Sequence, residues 1–311
     1  MLSKFSGIYN VRFMKILICS KLFYPSNRIG SIRPSNFAKY LALYGYDVVV
    51  ITDKKEIEKE FILSNVTVIR ITNSYSINKI VAKINKSSVF KKKNKSKSEG
   101  ISKALKIKIY GKIKGRIRYY FHELFSFAVD LDWYFNARKH INKYYKPSNF
   151  DLVLSSYGPL SSFLMGSLVK RKKIANYWIS DFRDNMRFEG YSVWFNEFMK
   201  LCEEKALMRA DAITFISTDQ RAELIENLSV RDAQKNKLFT IYNGYENNLE
   251  LIDGNISNKE ILKLVYTGQL YNGSRDFRML FHAVDDLIEE GNIDRGRIEI
   301  RYAGNDSNVL S

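Results

Sequence analysis

The sequence predicts an α/β protein with a doubly wound parallel sheet, covered by helices on both faces. Two observations support this class: short apolar runs rich in β-branched residues recur along the 311 residues, and segments with helical periodicity separate most of them. The composition, 45% hydrophobic and 14% aromatic, supplies enough apolar side chains for a core or two, which excludes a disordered tail or a fibrous repeat. The length predicts about two domains.

The first elements form one right-handed βαβ unit. Residues 15–20 are a short apolar run that is typical of a strand buried on both faces. A loop through Pro34 follows, and the periodicity is helical from Ser35 until Gly45 ends the helix. Residues 47–52 then form the second strand, and the short crossover predicts a parallel pair.

The same alternation continues along the chain. Further strands are predicted at residues 66–71, 151–155, 174–180, 211–216, 239–242, 262–267 and 298–304, with helices that include residues 197–209 and 277–290. The predicted divisions are an extension (1–13), a first domain (14–245) with a basic insertion (79–120), a linker (246–259) and a second domain (260–311). Two strands and one helix do not complete a doubly wound domain, so we expect the second domain to be truncated.

The positive charge of the chain is concentrated in one segment. Residues 71–120 hold 13 Lys, 2 Arg and one Glu, a net +14 of the total +17. A block of this kind indicates a solvated tail, an arm that binds nucleic acid, or a contact with an anionic membrane surface. Composition alone does not choose among these three.

The basic insertion has its own pattern. Residues 86–100 are of low complexity and are predicted to be disordered. Residues 101–120 alternate basic residues with Ile, Leu and Tyr and can form a basic amphipathic helix, and residues 121–145 predict an aromatic-rich helix that returns to the core. No signature of an RNA-binding module accompanies the charge, so nucleic acid is not the expected partner.

Cysteine usage and hydropathy bear on the compartment. Cys19 and Cys202 lie far apart in the sequence, which predicts neither a disulfide framework nor paired metal ligands and fits a reduced, cytoplasmic protein. No apolar run reaches the roughly 18 to 20 residues that span a bilayer. Lys15 and Lys21 interrupt the apolar start, which argues against a secretory signal.

The loop after the first strand is a candidate anion site. It contains Gly30 and Arg33 and precedes a helix, whose free backbone N–H groups and dipole favour a negative charge. One glycine replaces the three of a dinucleotide fingerprint, and no Walker loop is present. An ordinary connection without a ligand is the alternative.

A second candidate lies where the strand near residue 180 ends. Asp181 and Asp184 flank Arg183, and ligands of open α/β sheets bind at the carboxyl ends of strands. The two carboxylates can bind sugar hydroxyls or act as acid or base; an N-cap with a local ion pair is the alternative. Gly158, after the preceding strand, either belongs to this edge or only forms a turn.

Metal chemistry has little support in the sequence. Asp130 and Asp132 have the D-x-D spacing, but a helical context points their side chains about 200° apart. The three histidines, at positions 122, 140 and 282, share no neighbourhood in the sequence, which argues against a metal site or a Ser-His-Asp set.

Taken together, the motifs resemble family 4 glycosyltransferases, which are retaining enzymes with two Rossmann-like domains in the GT-B arrangement. The resemblance begins at Lys15 and rests on pieces in the expected order: the first strand with its loop through Gly30 and Arg33, and residues 41–48, 151–159, 178–184, 210–213, 241–245 and 266–276. The subgroup it is most similar to builds bacterial surface polysaccharides.

The resemblance implies a role for each candidate residue. The first domain would bind a lipid-linked or saccharide acceptor and the second a nucleotide-sugar, without a metal or other cofactor. The implied residues are Asp181 and Asp184 beside the reacting sugar, Gly30, Arg33, Asn243, Gly268 and Arg275 at the donor and its phosphates, and Arg183 and Gly158 on the acceptor side. A fixed guanidinium near the leaving diphosphate would stabilise the charge that develops there.

One departure from the family concerns its Glu-x7-Glu pair, which belongs to the second half of the second domain. Glu189 and Glu197 have this spacing but lie in the first domain, where it is a coincidence.

We expect a cytoplasmic glycosyltransferase, peripheral on the inner face of the membrane, and little transfer by residues 1–311 alone. The alternative is an inactive, glycosyltransferase-like binding protein.

Overall fold

The structure is a computed structural model that describes residues 14–26, 28–54, 65–91, 101–244, 261–268, 270 and 276–304, with the side chains of 84–91, 101–119 and 122 outside the description. The chain divides into two compact units, Met1–Gly244 and Tyr245–Ser311. The predicted N-terminal extension and linker lie outside the described residues.

The first unit is built on a seven-stranded parallel sheet. Its strands are β1 (Lys15–Cys19), β2 (Asp47–Asp53), β3 (Val66–Ile71), β4 (Phe150–Tyr157), β5 (Ala175–Phe182), β6 (Ala212–Phe215) and β7 (Leu238–Thr240). The strand order is β3-β2-β1-β4-β5-β6-β7, and every pair is parallel. The chain leaves β1 toward one edge of the sheet and returns to β4 on its other side, which confirms the doubly wound class predicted from the sequence.

The helices cover both faces of this sheet. They are α1 (Ile32–Leu43), α2 (Tyr75–Lys91), α3 (Ile101–Tyr144), α4 (Leu160–Arg171), α5 (Val193–Arg209), α6 (Thr218–Asn227) and α7 (Asp232–Lys235). Along β1, Ile16 and Ile18 pack with α1 in one cluster, whereas Leu17 and Cys19 face the cluster that contains side chains of α3, α4, α5 and α6. This alternation gives the two apolar faces of a strand buried on both sides.

Acidic side chains of α3 bind it to the beginnings of neighbouring helices. Glu123 accepts hydrogen bonds from the backbone N–H and the hydroxyl of Ser192, the residue before α5. Asp132 accepts from the N–H of Ser74, which precedes α2, at 2.7 Å. The first N–H groups of a helix lack partners within the helix, so these carboxylates satisfy them and favour the positive end of each dipole.

Asp130 of the same helix caps α4. Its Oδ2 accepts from the N–H of Ser161 at 2.7 Å, and its Oδ1 accepts from the hydroxyl of Ser161 at 2.6 Å and from Lys21 Nζ at 3.1 Å. The side chains of Asp130 and Asp132 therefore cap different helices, in agreement with the prediction that the two side chains of the D-x-D pair point in different directions. Among the described residues, no group of three or more His, Cys, Asp or Glu side chains is placed to hold a metal ion.

Three sequence predictions need correction. Helix α1 begins at Ile32, not Ser35, because a proline such as Pro34 is tolerated in the first turn, where its missing N–H has no partner to lose. Helix α2 extends to Lys91, so residues 86–91 of the segment predicted as disordered are helical. The two helices predicted over 101–120 and 121–145 form the single helix α3 of 44 residues.

The second unit opens with the predicted βαβ arrangement. Strands β8 (Leu262–Thr267) and β9 (Ile298–Ala303) are parallel, with Leu262 opposite Ile298, and α8 (Arg278–Glu289) connects them. Within the described part of this unit, Tyr266 packs on Phe277 and on Tyr302, at ring centroid separations of 4.8 and 6.1 Å.

Candidate functional site

The candidate site lies at the carboxyl edge of the first sheet, where the strand order reverses between β1 and β4. Ligands of open α/β sheets bind at such a switch point, since the two loops there diverge toward opposite faces and leave a crevice. The loop after β1 contains Gly30, and the turn after β4 contains Gly158. β5, beside β4, adds the segment from Asp181 to Asp184. Residues far apart in the sequence therefore meet at one edge.

Asp181 is fully buried near the end of β5, with no exposed surface. The register places Ser156 of β4 on one side of it and Thr214 of β6 on the other. The Ser156 and Thr214 hydroxyls donate to the carboxylate at 2.8 and 2.7 Å. Three adjacent strands thus contribute side chains to one hydrogen-bonded row.

Arg33 completes the shell around this carboxylate. Its Nη2 lies 2.8 Å from Asp181 Oδ1, and its Nε is 3.1 Å from each of the two oxygens. Its Nη1 donates to the carbonyl of Tyr242 at 3.3 Å and to Asn243 Oδ1 at 3.2 Å. A buried guanidinium in the first turn of α1 therefore ties β5 to the segment after β7, so its charge is already compensated inside the protein.

Arg183 bridges the two loops of the switch point. One terminal nitrogen donates to the carbonyl of Gly30 and the other to the carbonyl of Gly158. A Cβ at Gly30 or Gly158 would collide with this guanidinium, and Gly158 has a φ of +100°, which only glycine adopts without strain. The absence of side chains at these positions lets the planar fork of Arg183 reach both loops.

Asp184 is the exposed carboxylate of this edge. Its side chain is 65% exposed, and its Oδ2 lies 3.3 Å from Arg183 Nε. Next to it, Tyr157 ends β4 and donates to the carbonyl of Met186 at 3.4 Å. Burial, reinforced by the negative charge of Asp184, holds the pKa of Tyr157 well above its usual range, so this hydroxyl keeps its proton.

The loop after β5 also borders a small pocket. It has a cavity volume of about 20 Å³ and is lined by Phe182 and Phe215 beside polar side chains. Arg187 donates to Glu203 at 2.8 Å within it. Burial raises the pKa of Glu203, while the adjacent Arg187 opposes that shift.

The structure brings together most of the residues that the sequence singled out. Those that meet at the carboxyl edge of the first sheet are Gly30, Arg33, Gly158, Asp181, Arg183, Asp184 and Asn243. Their functional roles stay predictions. Gly268 follows β8 in the second unit and donates its N–H to the carbonyl of Ala303 at 3.1 Å, and Arg275 lies outside the described residues.

Sequence reasoning missed Ser156 and Thr214. Each is a polar residue in a strand of the buried sheet, and a buried hydroxyl there requires a partner. That signal marks the position as unusual, but the partner itself depends on the strand order and register.

No family model matches the chain, and no curated protein gives a significant match. Among solved structures, the chain is similar to a glycosyltransferase from Rickettsia africae ESF-5 (15% identity, TM-score 0.42, 96% of this chain and 70% of that one). It is also similar to a putative UDP-N-acetylglucosamine 2-epimerase from Listeria monocytogenes (11%, 0.43, 96% and 65%) and to a UDP-N-acetylglucosamine 2-epimerase from Rickettsia bellii (10%, 0.42, 95% and 63%). The chain thus spans less than two thirds of the two epimerases. Likenesses at this level carry no argument about its function.

None of the described helices is long and apolar enough to cross a membrane.

Proposed function

We propose that this chain acts in sugar transfer, as a retaining glycosyltransferase of bacterial surface polysaccharide synthesis that moves a sugar from a nucleotide-sugar to a lipid-linked saccharide. The observation that carries the proposal is the convergence at the switch point, where Arg183 bridges Gly30 and Gly158 beside the exposed carboxylate of Asp184. The resemblance of these segments to family 4 glycosyltransferases supports it.

The residues of the edge divide into two kinds of role. Asp184 is the group free to accept a hydrogen bond from an acceptor hydroxyl, because its carboxylate faces solvent. Asp181 and Arg33 are positioning residues, since each is buried and already partnered. Arg183 holds both loops in place and adds positive charge next to them.

The transfer itself breaks the bond between the anomeric carbon and the diphosphate and joins that carbon to the acceptor oxygen. Asp184 takes the acceptor hydroxyl proton as general base, and the proton then passes to the released diphosphate or to solvent. In the proposed division of labour, the second unit binds the donor through Gly268 and Arg275. The guanidinium of Arg275 then carries the leaving-group charge without a metal.

The test is turnover by the full-length protein, since we expect little transfer by residues 1–311 alone. It uses a panel of nucleotide-sugars and a lipid-linked saccharide acceptor and is measured as release of nucleoside diphosphate. Asp184→Asn should lower turnover about 100-fold, the lower end for loss of a general acid or base, with an unchanged melting temperature. Asp47→Asn is the matched control, because Asp47 is half-exposed and pairs with Lys15 at 3.8 Å where β1 and β2 begin, at the opposite edge of the sheet.

Two results would contradict the proposal. Donor binding without turnover favours the inactive binding protein, and turnover that is equal in both variants removes Asp184 from the site.

For the compartment and partners, we propose a peripheral protein on the cytoplasmic face of an anionic membrane, because its acceptor would be held there.

A further inference from the structure

One stretch of α3 has an exposed face that is almost entirely apolar. Between residues 120 and 135, the exposed positions whose side chains are described are Tyr120, Phe121, Leu124, Ser126, Ala128 and Phe135. The acidic residues Glu123 and Asp130 of this stretch are buried, where they cap other helices. A surface helix normally presents polar residues to water, so this face has the opposite pattern.

The start of α5 extends this apolar surface. Val193 is 81% exposed, and Trp194 is exposed beside it. The Trp194 ring lies 6.4 Å from the Phe127 ring of α3, and the bond from Ser192 to Glu123 fixes the beginning of α5 to the same turn of α3. We call the exposed side chains Tyr120, Phe121, Leu124, Val193 and Trp194 the α3–α5 patch.

The same helix carries the positive charge. Residues 101–119 form the first part of α3 and contain seven Lys and Arg and no acidic residue. The backbone helix is continuous from this basic part into the patch. An aromatic surface and a basic segment are therefore joined in one continuous helix.

We propose that the α3–α5 patch inserts into the headgroup region of an anionic lipid bilayer, with the basic part of α3 attracted to the lipid phosphates. Trp and Tyr favour the membrane–water interface, and Lys and Arg near it bind anionic lipids. This inference rests on the proposed function, which supplies the membrane-held acceptor. It goes further by specifying the surface of the protein that contacts the bilayer.

Charge decides between a bilayer and a second copy of the chain. Two copies that joined through this patch would bring two basic helical segments together, and like charges at close range repel. A bilayer with anionic lipids supplies the opposite charge and an apolar layer at the same time.

The experiment is co-sedimentation of the full chain with vesicles, without donor or acceptor. One set contains equal parts of phosphatidylglycerol and phosphatidylcholine, and the other phosphatidylcholine alone. We compare the wild type with Phe121→Ser/Leu124→Ser. The matched control is Leu43→Ser/Tyr44→Ser, a pair that is equally exposed at the end of α1, on the opposite face of the sheet. Circular dichroism verifies that both variants fold, as expected for exposed positions.

The wild type and the control should bind the phosphatidylglycerol vesicles, less at high salt, and should bind phosphatidylcholine weakly. The patch variant should bind about tenfold more weakly, because its apolar contribution is lost. Equal binding by the wild type and the patch variant would overturn the proposal, since charge alone would then suffice. A wild-type dimer that the patch variant dissociates would overturn it in favour of a second copy. Vesicle binding by this chain, combined with no sugar transfer by the full-length protein, would leave this inference standing and contradict the proposed function alone.

Discussion

Arg33 and Asp181, which are 148 residues apart, form a buried ion pair in which Nη2 and Oδ1 are 2.8 Å apart. The pair joins the first turn of α1 to β5, two elements that no local interaction could bring together. Leaving one partner of such a pair without its counter-charge is expensive, because the remaining charge has no water to solvate it.

We therefore expect Asp181→Asn to lower the free energy of unfolding by about 3 kcal/mol, since Arg33 would keep its charge in a buried site. Urea denaturation measures this, with Asp47→Asn as the control. Asp47 pairs with Lys15 at 3.8 Å while half-exposed, so its loss should cost about 1 kcal/mol or less. Wild-type stability in Asp181→Asn, combined with lost sugar transfer, would instead assign Asp181 a direct catalytic role.

Arg183→Lys should loosen both loops of the switch point. A single ammonium group cannot reproduce the planar fork that reaches the carbonyls of Gly30 and Gly158. We expect faster amide hydrogen exchange in residues 28–31 and 158–160, and a loss of transfer of about tenfold or more, since small displacements of positioning groups are costly. Arg171→Lys, at the exposed end of α4, is the control. Unchanged exchange in both loops would show that Arg183 does not hold them.

The two cysteines should be unreactive in the folded protein. Burial raises the pKa of the Cys202 thiol to about 11 and raises that of Cys19 further, so little thiolate is present near neutral pH. A thiol reagent at about pH 8 should label neither residue until denaturant is added, with labelling followed by mass spectrometry. Rapid labelling of Cys202 in the native protein would contradict its described burial.

Glu203 should make stability depend on pH. Burial raises its folded-state pKa above the ordinary value of 4.5, so the folded protein holds this proton more tightly than the unfolded chain does. Its contribution is therefore present below pH 4.5 and is lost as pH rises through the raised folded-state pKa. Urea denaturation of the wild type and Glu203→Gln across this range should show the variant gaining relative stability as pH rises. Parallel curves would mean that Glu203 titrates alike in both states.

The sequence by itself determined the elements of the fold. Runs rich in β-branched and aromatic residues, such as residues 66–71 and 262–267, predicted β3 and β8 to the residue, because such side chains favour the pleated surface of a sheet. The order of strands and helices also predicted the carboxyl edge as the place of the candidate site. Positions at or after the strand ends singled out Gly30, Gly158, Asp181 and Asp184 as site candidates. They did not predict the residues that these four contact.

Only the tertiary structure decided which of those residues are available. Asp181 and Asp184 are equivalent in the sequence, three positions apart, yet one is buried among Arg33, Ser156 and Thr214 and the other faces solvent. Likewise, residues 121–145 predicted an aromatic-rich helix that returns to the core, but Glu123 and Asp130 turn inward to cap other helices and leave an apolar face outside. These outcomes depend on strand register and on helix ends that meet only after folding. A hydrogen bond between residues more than a hundred positions apart leaves no local trace in the sequence.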